Sequence, residues 1–373
     1  MIICHVTSVH SSSDIRIFEK ECTSLAKQTN NTVYLVAKGD SYKKNNVNVI
    51  GIGLAPLSRL KRIVLFSHQI IRKALQVDAD VYHLHDPELL LYVGMLKRKN
   101  KIVIFDSHED VADSILDKDY LHPSLRILLS KIYKIFSNEQ MKKCDALVTV
   151  TPHIVKKLER SNKNVIMITN YPIIDDFKET IDSKKKNSII FAGGVSKQWS
   201  HETVINALEK LDGFSYELYG PADEQYLEQL QSLDGWKQTN YYGKVDFNTV
   251  INAQKQARYS VVLLQPSNNT DFMNGTIGNT KLFESLSVGN PIICTNFSLW
   301  KQIIDKWQCG ICVNPNNPDD VVNAIHFLCD NPDVERQMRE NGLKAVNIEY
   351  NWNTQEKKLY ELYNSFSNHR SSI

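Results

Sequence analysis

Short apolar runs alternate with longer amphipathic stretches along most of the chain, and this alternation predicts the fold. In the first half, apolar runs read as strands, and the stretches between them, such as residues 15–28 and 57–76, have helical periodicity. The predicted strands are residues 2–6, 32–37, 48–51, 81–85, 102–106, 146–149 and 165–168. Strands that alternate with helices in this way are typical of a parallel, doubly wound α/β sheet.

A polar stretch, residues 178–188 (KETIDSKKKNS), interrupts this pattern and is interpreted as a linker. After it the alternation of apolar and amphipathic segments begins again. The second set of predicted strands comprises residues 189–192, 216–220, 240–243, 260–265, 291–294 and 310–313, and a helix follows at 318–329. We therefore expect two doubly wound domains, residues 1–175 and 176–352, with a ligand crevice between the carboxyl ends of their facing sheets.

Three predicted helices carry features beyond their periodicity. The last, residues 353–366, has an apolar stripe that we expect to pack back on the first domain. The other two, residues 57–74 and 125–143, are amphipathic, with five Lys or Arg residues each and almost no acid. Such helices suit an anionic membrane surface, although a solvated basic face on a helix packed within its domain would look the same. The sequence leaves both interpretations open.

The overall composition is that of a globular protein and excludes several classes of function. Of the 373 residues, 42% are apolar and 23% are charged, and 44 basic side chains nearly balance 42 acidic ones. No global field therefore attracts nucleic acid. The seven cysteines are scattered, no secretory signal precedes them, and no run reaches the length of a membrane span. We expect a cytoplasmic location.

The segment with the clearest chemical signal is residues 274–296 (NGTIGNTKLFESLSVGNPIICTN), where a polar, glycine-hinged loop runs into a predicted helix beginning near Thr280. Gly289 and Pro291 end this helix, as a C′ glycine followed by proline should. The helix start offers free N–H groups and a positive dipole end to an anion. Glu284 lies one turn further on, where its carboxylate could accept hydrogen bonds from a diol such as ribose. The segment predicts either a nucleotide site or an ordinary strand–helix–strand unit with a surface glutamate.

The string NTKLFESLSVGNP within this segment closely resembles the donor-site signature of family-4 retaining glycosyltransferases of the GT-B fold, of the type found in polysaccharide and O-antigen biosynthesis. Six more strings occur in the family's order: SSDIRIFEKECTSLA (12–26), DADVYHLHDPELL (78–90), IFDSHED (104–110), FAGGV (191–195), YYGKV (241–245) and GICVNPNNPDDVVNAI (310–325). The resemblance implies two Rossmann-like domains facing a central cleft. It also implies transfer of a sugar from a nucleotide-diphosphate donor, with retained configuration and without a metal.

The resemblance also implies roles for single residues. Glu284 matches the glutamate that accepts hydrogen bonds from the ribose diol, and His108 matches the histidine that contacts the donor sugar near the reacting carbon. For His108, a hydrogen-bonded loop histidine is the alternative. The implied donor-binding residues are Gly193 and Gly194, where the backbone would be approached, Lys244 and Val245 beside the base, and Gly278, Asn279 and Thr280 around the diphosphate.

The chain departs from the family pattern at two points. Many relatives have an Arg just after the first glycine of the second domain and a Lys five residues later, both of which hold phosphate. Here those positions are Gly194 and Trp199, so Lys197 and Lys281 become the nearest candidates, helped by helix dipoles. Relatives also often have a Glu eight residues before the glutamate of the donor-site helix, where this chain has Thr276. This difference leaves the positioning of the donor sugar open and indicates a subgroup with a different sugar.

On the acceptor side, Asp14 and Arg16 follow the first predicted strand, in the loop that faces the acceptor in such folds. They could orient an acceptor hydroxyl or phosphate. Asp14 is equally well interpreted as the N-cap of the helix that begins at Ile15.

Other motifs point to rival functions, and each lacks part of its expected context. His83 and His85 lie on one face of a strand and, with His108, would suggest the metal site of a hydrolase, but the spacing of a further ligand is not evident. The remaining motifs are a DxD-like Asp78-Ala79-Asp80 before a strand, a CxxC pair, Cys309 and Cys312, that enters a strand, and Gly51-Ile52-Gly53, which is followed by Pro56 and by no close helix with a third glycine. We therefore predict no metal ligand and no cofactor.

Together these patterns predict a retaining glycosyltransferase of cell-surface polysaccharide synthesis, which moves a sugar to a glycan acceptor, expected to be lipid-linked at the inner membrane face. Without an obvious carboxylate nucleophile, retention implies front-face attack, with catalysis by positioning, charge stabilisation and domain closure. Two alternatives remain: a nucleotide-sugar 2-epimerase of the same architecture, and a catalytically silent nucleotide-sugar-binding protein.

Overall fold

The computed structural model describes residues 1–54, 58, 61–108, 110–118, 121–174 and 185–370, with side chains up to residue 367. The chain forms two compact units. Unit 1 contains Met1–Asn170 together with the chain from Asn353 onwards, and unit 2 contains Tyr171–Trp352. Residues 57, 59 and 60 of the helix predicted at 57–76 and residues 178–184 of the predicted linker lie outside the described residues.

Unit 1 is built on a single eight-stranded sheet. Its strands are β1 (Ile2–Ser11), β2 (Thr32–Lys38), β3 (Tyr42–Lys44), β4 (Val47–Gly51), β5 (Val81–Leu84), β6 (Ile102–Ser107), β7 (Ala146–Thr149) and β8 (Val165–Met167). They are ordered β3-β4-β2-β1-β5-β6-β7-β8, and all neighbours are parallel except the edge pair of β3 and β4. The central strands are buried on both faces, which explains why they are continuous apolar runs in the sequence.

Helices connect the strands of unit 1. They are α1 (Ile15–Cys22, π-helical, continuing over Thr23–Ala26), α2 (Arg62–Phe66, π-helical, continuing over Ser67–Leu75), α3 (Val93–Arg98, after a 3₁₀ turn at Pro87–Tyr92), α4 (Val111–Leu116), α5 (Pro123–Met141) and α6 (Pro152–Leu158).

Unit 2 repeats this plan with a six-stranded parallel sheet. Its strands are β9 (Lys186–Ala192), β10 (Ser215–Tyr219), β11 (Thr239–Gly243), β12 (Ala257–Val262), β13 (Ile292–Thr295) and β14 (Gly310–Val313), ordered β11-β10-β9-β12-β13-β14. Its helices are α7 (His201–Leu208), α8 (Glu224–Gln231), α9 (Phe247–Gln256), α10 (Thr280–Ser287), α11 (Ser298–Trp307), α12 (Pro318–Asp330) and α13 (Pro332–Ile348). The last helix, α14 (Trp352–Arg370), lies in unit 1 from Asn353 onwards, where Tyr360 donates a hydrogen bond to the carbonyl oxygen of Ser24 at 2.9 Å.

The strands predicted from apolar runs are all present, with ends displaced by a few residues, so the α/β fold class is confirmed. The end of the predicted linker is wrong, because β9 begins at Lys186 and its first two residues are exposed and polar. Strand β3 and helix α13 were not predicted. Strand β3 is short and mostly exposed, so it carries no hydrophobic signal.

Among the parallel strands of each sheet, the direction in which strands are added reverses once. The reversal lies between β1 and β5 in unit 1, and between β9 and β12 in unit 2. Doubly wound sheets bind ligands outside the carboxyl ends of their strands at such switch points. The residues after these four strands are therefore where a site is expected in each unit.

Candidate functional site

The start of α10 in unit 2 is capped and leaves backbone N–H groups open. The side chain of Asn279 accepts a hydrogen bond from the amide of Lys281 at 2.9 Å. The amide of Gly278 donates to Oγ1 of Thr276 at 3.2 Å, so it is used within the loop. Within the described chain, the amides of Asn279 and Thr280 have no hydrogen-bond partner. Two of the three predicted diphosphate amides are thus available to an anion.

The sequence of α10 divides the helix into a core face and an outer face. Leu282, Phe283 and Leu286 are fully buried in the core of unit 2. Lys281 and Glu284, three residues apart, lie on the half-buried outer face. The carboxylate of Glu284 makes no hydrogen bond or close ion pair with any described residue. It is therefore free to accept hydrogen bonds one turn beyond the open amides.

The side chain of Lys281 extends from α10 to the end of β9. Its Nζ lies 4.5 Å from the centre of the Trp199 ring and 5.7 Å from that of Phe191. A Cβ at Gly193 would lie only 2.1 Å from Cε of Lys281, so only glycine at position 193 lets the lysine pass. Burial lowers the pKa of Lys281, and the nearby carboxylate of Glu284 offsets this in part. The ammonium is thus held by aromatic faces, with no carboxylate of a described residue within 4 Å.

The other predicted donor residues of unit 2 lie around this lysine or on the neighbouring strands. Gly194 is exposed, and a Cβ there would meet no atom within 4 Å. Lys197 is exposed on the turn that leads to Trp199. Lys244 and Val245 follow β11, where Val245 packs towards the side chains of β9 and β10 and Lys244 is exposed. The structure therefore brings Gly193 and Lys281 together and places Lys244 two strands away.

Thr276, the departure from the family's glutamate, shapes the loop before α10. Its carbonyl oxygen accepts a hydrogen bond from Nε1 of Trp300 at 2.6 Å, and its hydroxyl accepts the amide of Gly278. Trp300 is fully buried. The loop is thus attached to the core of unit 2 through its backbone.

In unit 1, the switch point between β1 and β5 is organised by Asp86. Its Oδ2 accepts hydrogen bonds from the hydroxyl of Thr7 at 2.7 Å and the amide of Ser8 at 2.5 Å. Glu88 accepts from the hydroxyl of Ser8 at 2.9 Å and from Nε of Arg62 at 3.1 Å. Both carboxylates directly follow a buried strand, and this position was the signal that could have identified them.

Asp14 lies beside this switch point and caps α1. Its Oδ1 accepts hydrogen bonds from the amides of Arg16 at 2.9 Å and Ile17 at 3.0 Å, and its Oδ2 lies 3.0 Å from Nδ1 of His10. Burial alone would raise the pKa of Asp14, but its bonds with His10 and the Ile17 amide outweigh burial and lower it to about 2. The N-cap interpretation of Asp14 is confirmed, and its contact with an acceptor stays a prediction.

Arg16 points into unit 1 and is only 6% exposed. Its guanidinium donates to Oδ2 of Asp106 at 2.9 Å and to the carbonyl oxygen of Ile168 at 3.0 Å, and its Nε lies 3.1 Å from Oε1 of Glu21. These contacts occupy most of its donors. An acceptor contact by Arg16 stays a prediction, and it would require this buried pairing to open.

His108 follows β6 and is half-buried. Its Nδ1 lies 3.3 Å from Oδ1 of Asp106, and its ring packs edge-on to His10 at 5.7 Å and stacks on His85 at 5.8 Å. Neither ring nitrogen has a hydrogen-bond partner in the described chain. The 3.3 Å contact with Asp106 leaves the alternative of a hydrogen-bonded loop histidine open, and contact of His108 with the donor sugar stays a prediction.

The residues of the rival motifs make contacts within the fold. Asp80 accepts the amide of Ile2 at 2.9 Å, and Asp78 pairs with Lys101 at 2.6 Å. Cys312 lies 4.0 Å from Cys294 on the neighbouring strand, and all seven cysteines are free. His83 and His85 are neighbours on one face of β5, as their spacing predicted, but they face the interior of the unit.

Among the described residues, no helix combines the length and apolar character needed to cross a bilayer.

The chain resembles known proteins over nearly its whole length. It is 22% identical over 351 residues to the uncharacterized glycosyltransferase MJ1178 of Methanocaldococcus jannaschii, covering 92% of this chain and 93% of the relative. Sucrose-phosphate synthase from Thermosynechococcus elongatus has the same fold, with a TM-score of 0.78 at 14% identity over 99% of this chain and 100% of the other. HepE from Anabaena, solved in complex with UDP-glucose, gives a TM-score of 0.69 at 12% identity over 98% and 99% of the two chains.

Family models cover both units. The model described as "Glycosyltransferase Family 4" matches residues 20–170, and the model described as "Glycosyl transferases group 1" matches residues 173–345. These matches divide the chain at the same place as the two units. The matched domains and the two doubly wound parallel sheets identify the chain as a glycosyltransferase with the GT-B fold.

Proposed function

We propose that this glycosyltransferase takes its sugar from a nucleoside-diphosphate sugar bound by unit 2 and transfers it to a glycan acceptor with retention of configuration. The observation that carries this proposal is the position of Lys281. Its ammonium lies beside Gly193, and the helix that carries Lys281 has open amides in its first turn. A cation, two free N–H groups and a helix dipole meet the needs of a diphosphate.

The electrostatics of Lys281 favour an anion as its partner. Burial lowers its pKa, so the charged form is destabilised in the free protein, and a diphosphate would restore a favourable environment. A charge-assisted hydrogen bond of this kind contributes about 1.5–3 kcal/mol. Lys281 thus supplies a cation near Gly194 and Trp199, the positions at which the family pattern has an Arg and a Lys. Transfer is therefore proposed to need no metal at the diphosphate.

Glu284 is proposed to bind the ribose of the donor. It lies one helical turn, about 5.4 Å, beyond the open amides. Its carboxylate is free of other partners in the described chain, as a diol acceptor requires. HepE from Anabaena was solved with UDP-glucose, which supports a nucleotide sugar as the donor class.

The proposed chemistry is front-face displacement. The acceptor oxygen forms a bond to the anomeric carbon on the face from which the diphosphate leaves, and the bond from that carbon to the phosphate oxygen breaks. The acceptor proton passes to the departing phosphate. Lys281 and the amides of α10 would stabilise the charge that develops there. His108 keeps the role that the family resemblance implies, contact with the transferred sugar.

We further propose that the acceptor is lipid-linked, because α5 carries an exposed apolar stripe. Leu128, Ile132 and Ile135 are 54%, 55% and 69% exposed, while Ser130 and Ser137 on the same helix are buried. This distribution reverses what a helix packed only within a globular unit would show. Exposed lysines flank the stripe at positions 131 and 134. An apolar stripe bordered by lysines fits an anionic bilayer surface.

The donor proposal is tested by thermal shift of the full chain against UDP-, GDP-, ADP- and CMP-sugars, each with and without EDTA. We expect stabilisation by one nucleoside-diphosphate sugar, unchanged by EDTA. A Glu284→Gln variant should lose this shift, and Glu228→Gln, on another helix of unit 2, serves as the control. Stabilisation by none of the sugars, or only without EDTA, would overturn the proposal. Binding without turnover across an acceptor panel would favour the silent binding protein.

The membrane proposal is tested by flotation with vesicles of phosphatidylglycerol and phosphatidylcholine, compared with phosphatidylcholine alone. The wild type should float with the anionic vesicles, and an Ile132→Glu/Ile135→Glu variant should not. Ile348→Glu, which changes a similarly exposed residue of unit 2, is the matched control. If the double variant floats as well as the wild type, α5 does not form the membrane-binding surface.

A further inference from the structure

Three histidines and a glutamate meet in the interior of unit 1, apart from the donor residues. His5 lies on β1, Glu21 on α1, and His83 and His85 on or just after β5, and none is more than 2% exposed. The four side chains each place a nitrogen or oxygen within 4.8 Å of all the others. The proposed transfer chemistry uses none of them.

The distances between these atoms match the ligand shell of a small metal ion. Nδ1 of His5 and Nε2 of His85 are 2.9 Å apart, and Oε2 of Glu21 lies 3.7 Å from the first and 3.8 Å from the second. Tetrahedral zinc, with bonds of about 2.0–2.1 Å to nitrogen, separates its ligands by roughly 3.3 Å. The three observed distances of 2.9, 3.7 and 3.8 Å lie on both sides of this value, and His83 supplies a fourth donor.

Two donor atoms of the cluster are buried without a partner. Oε2 of Glu21 and Nε2 of His83 have no hydrogen-bond partner in the described chain. Arg16 lies 3.1 Å from Oε1 of Glu21, so Oε2 is the oxygen that faces the histidines. A buried carboxylate and imidazole left in this state are costly, and a bound cation would satisfy both.

The opposite sides of the imidazoles are held as metal-bound histidines usually are. The hydroxyl of Tyr363 lies 2.9 Å from Nδ1 of His83 and 3.3 Å from Nε2 of His5. Nδ1 of His85 faces Oδ2 of Asp106 at 3.6 Å. Such outer contacts fix the tautomer of each ring and direct its other nitrogen at the ion.

We propose that His5, Glu21, His83 and His85 bind one divalent transition-metal ion, with Zn²⁺ as the best match to three imidazoles and a carboxylate. Four protein ligands and complete burial describe a closed site, which stabilises the fold and has no open position for substrate. The ion would join β1, α1 and β5, and Tyr363 would tie α14 to them. The site does not depend on the donor proposal, since all its residues lie in unit 1.

The test is the zinc content of the full chain expressed in zinc-supplemented medium and desalted, measured by inductively coupled plasma mass spectrometry. We expect one zinc ion per chain, and X-ray absorption at the zinc edge should show imidazole and oxygen ligands only. Zinc should be absent from His83→Gln. His201→Gln is the matched control, because His201 is equally buried, has the same 2.9 Å contact with a tyrosine hydroxyl and forms no ion pair with a carboxylate of the described residues.

Folded wild type without zinc would overturn the proposal, and so would zinc retained by His83→Gln. If His83→Gln does not fold, Tyr363→Phe decides, since it removes only the outer hydroxyl. We then expect zinc affinity, measured by competition with a chelator, to fall about 10- to 100-fold relative to the control Tyr216→Phe. Equal affinities in these two variants would also overturn it.

Discussion

The ammonium group of Lys281 lies 4.5 Å above the ring of Trp199, with its side chain against the backbone of Gly193. Trp199 occupies a position at which the family resemblance implies a phosphate-binding lysine. The positive charge is therefore present at the end of β9, but it comes from α10. In the proposed diphosphate site, this charge from a different element would replace the usual pair of cations.

Replacing Lys281 by Ala should weaken binding of the preferred nucleoside diphosphate about 10- to 100-fold, because one charge-assisted contact of about 1.5–3 kcal/mol is lost. Isothermal titration of the purified variant measures this. Lys210→Ala, an exposed lysine of unit 2 paired with Asp319, should bind like the wild type. An unchanged affinity in Lys281→Ala would take the lysine out of the site.

A second change should restore part of this loss. A side chain at Gly194 has open space, so Gly194→Arg can place a guanidinium where relatives carry one. In the Lys281→Ala background we expect Gly194→Arg to recover about tenfold in affinity, by one charged hydrogen bond. Gly194→Met, similar in length but uncharged, is the control and should recover nothing. Recovery by both would indicate a packing effect.

The affinity of the site should also depend on pH, with a sign set by Lys281. Burial lowers the pKa of this lysine from its usual 10.5, and a bound diphosphate would raise it again. Binding therefore takes up a proton, and affinity should fall as the pH rises through the lowered pKa, by up to about tenfold per pH unit. Lys281→Arg keeps its charge at every accessible pH and should lose this dependence. The same slope in both proteins would assign the titration to another group.

Glu284→Ala should weaken binding of the preferred nucleoside diphosphate roughly 10- to 100-fold, from the loss of charge-assisted hydrogen bonds to the ribose diol. The 2′,3′-dideoxy nucleotide separates this effect from a change in fold, because it cannot make those bonds. Against the dideoxy nucleotide, the wild type and Glu284→Ala should bind equally. If Glu284→Ala binds the dideoxy nucleotide more weakly than the wild type does, Glu284 contributes to binding through something other than the diol.

The central strands of both sheets could be predicted from the sequence because they are buried on both faces and so appear as uninterrupted apolar runs. The sequence was also sufficient for the helix at Thr280, where Asn279 at the start and Gly289 at the end act locally. Strand β3 was missed because its exposed residues have no hydrophobic pattern. Features that depend on local residues could be predicted from the sequence, whereas an edge strand that depends on pairing with its neighbour could not.

Contacts between distant segments could not be predicted from the sequence. The long side chain of Lys281 has many rotamers, and only the fold shows that a glycine 88 positions earlier (281 − 193) makes room for it. Arg16 looked like an exposed loop residue because charged side chains are seldom buried, and its pairing with Asp106 depends on α1 packing against β6. The histidines of β1 and β5 likewise meet only because these strands are neighbours in the sheet.

Asp14 provides a final test, because one carboxylate has two predicted roles. Asp14→Ala should lower the free energy of unfolding of unit 1 by about 1 kcal/mol, through loss of the cap on α1. Asp14→Asn should keep most of this free energy of unfolding, since asparagine caps a helix about as well as aspartate does. Urea titrations measure both, and equal losses in the two variants would contradict the capping role.

The same variants separate capping from charge. The pKa of Asp14 is about 2 in the folded protein, below its ordinary value of 3.8, so its charge stabilises the fold fully above about pH 4 and this contribution is lost as the pH falls towards 2. Asp14→Asn and His10→Gln should both show a weaker loss of stability across this window than the wild type. If Asp14 also contacts the acceptor, Asp14→Asn should raise the acceptor KM at neutral pH while the cap stays intact. An unchanged KM would leave Asp14 with a structural role only.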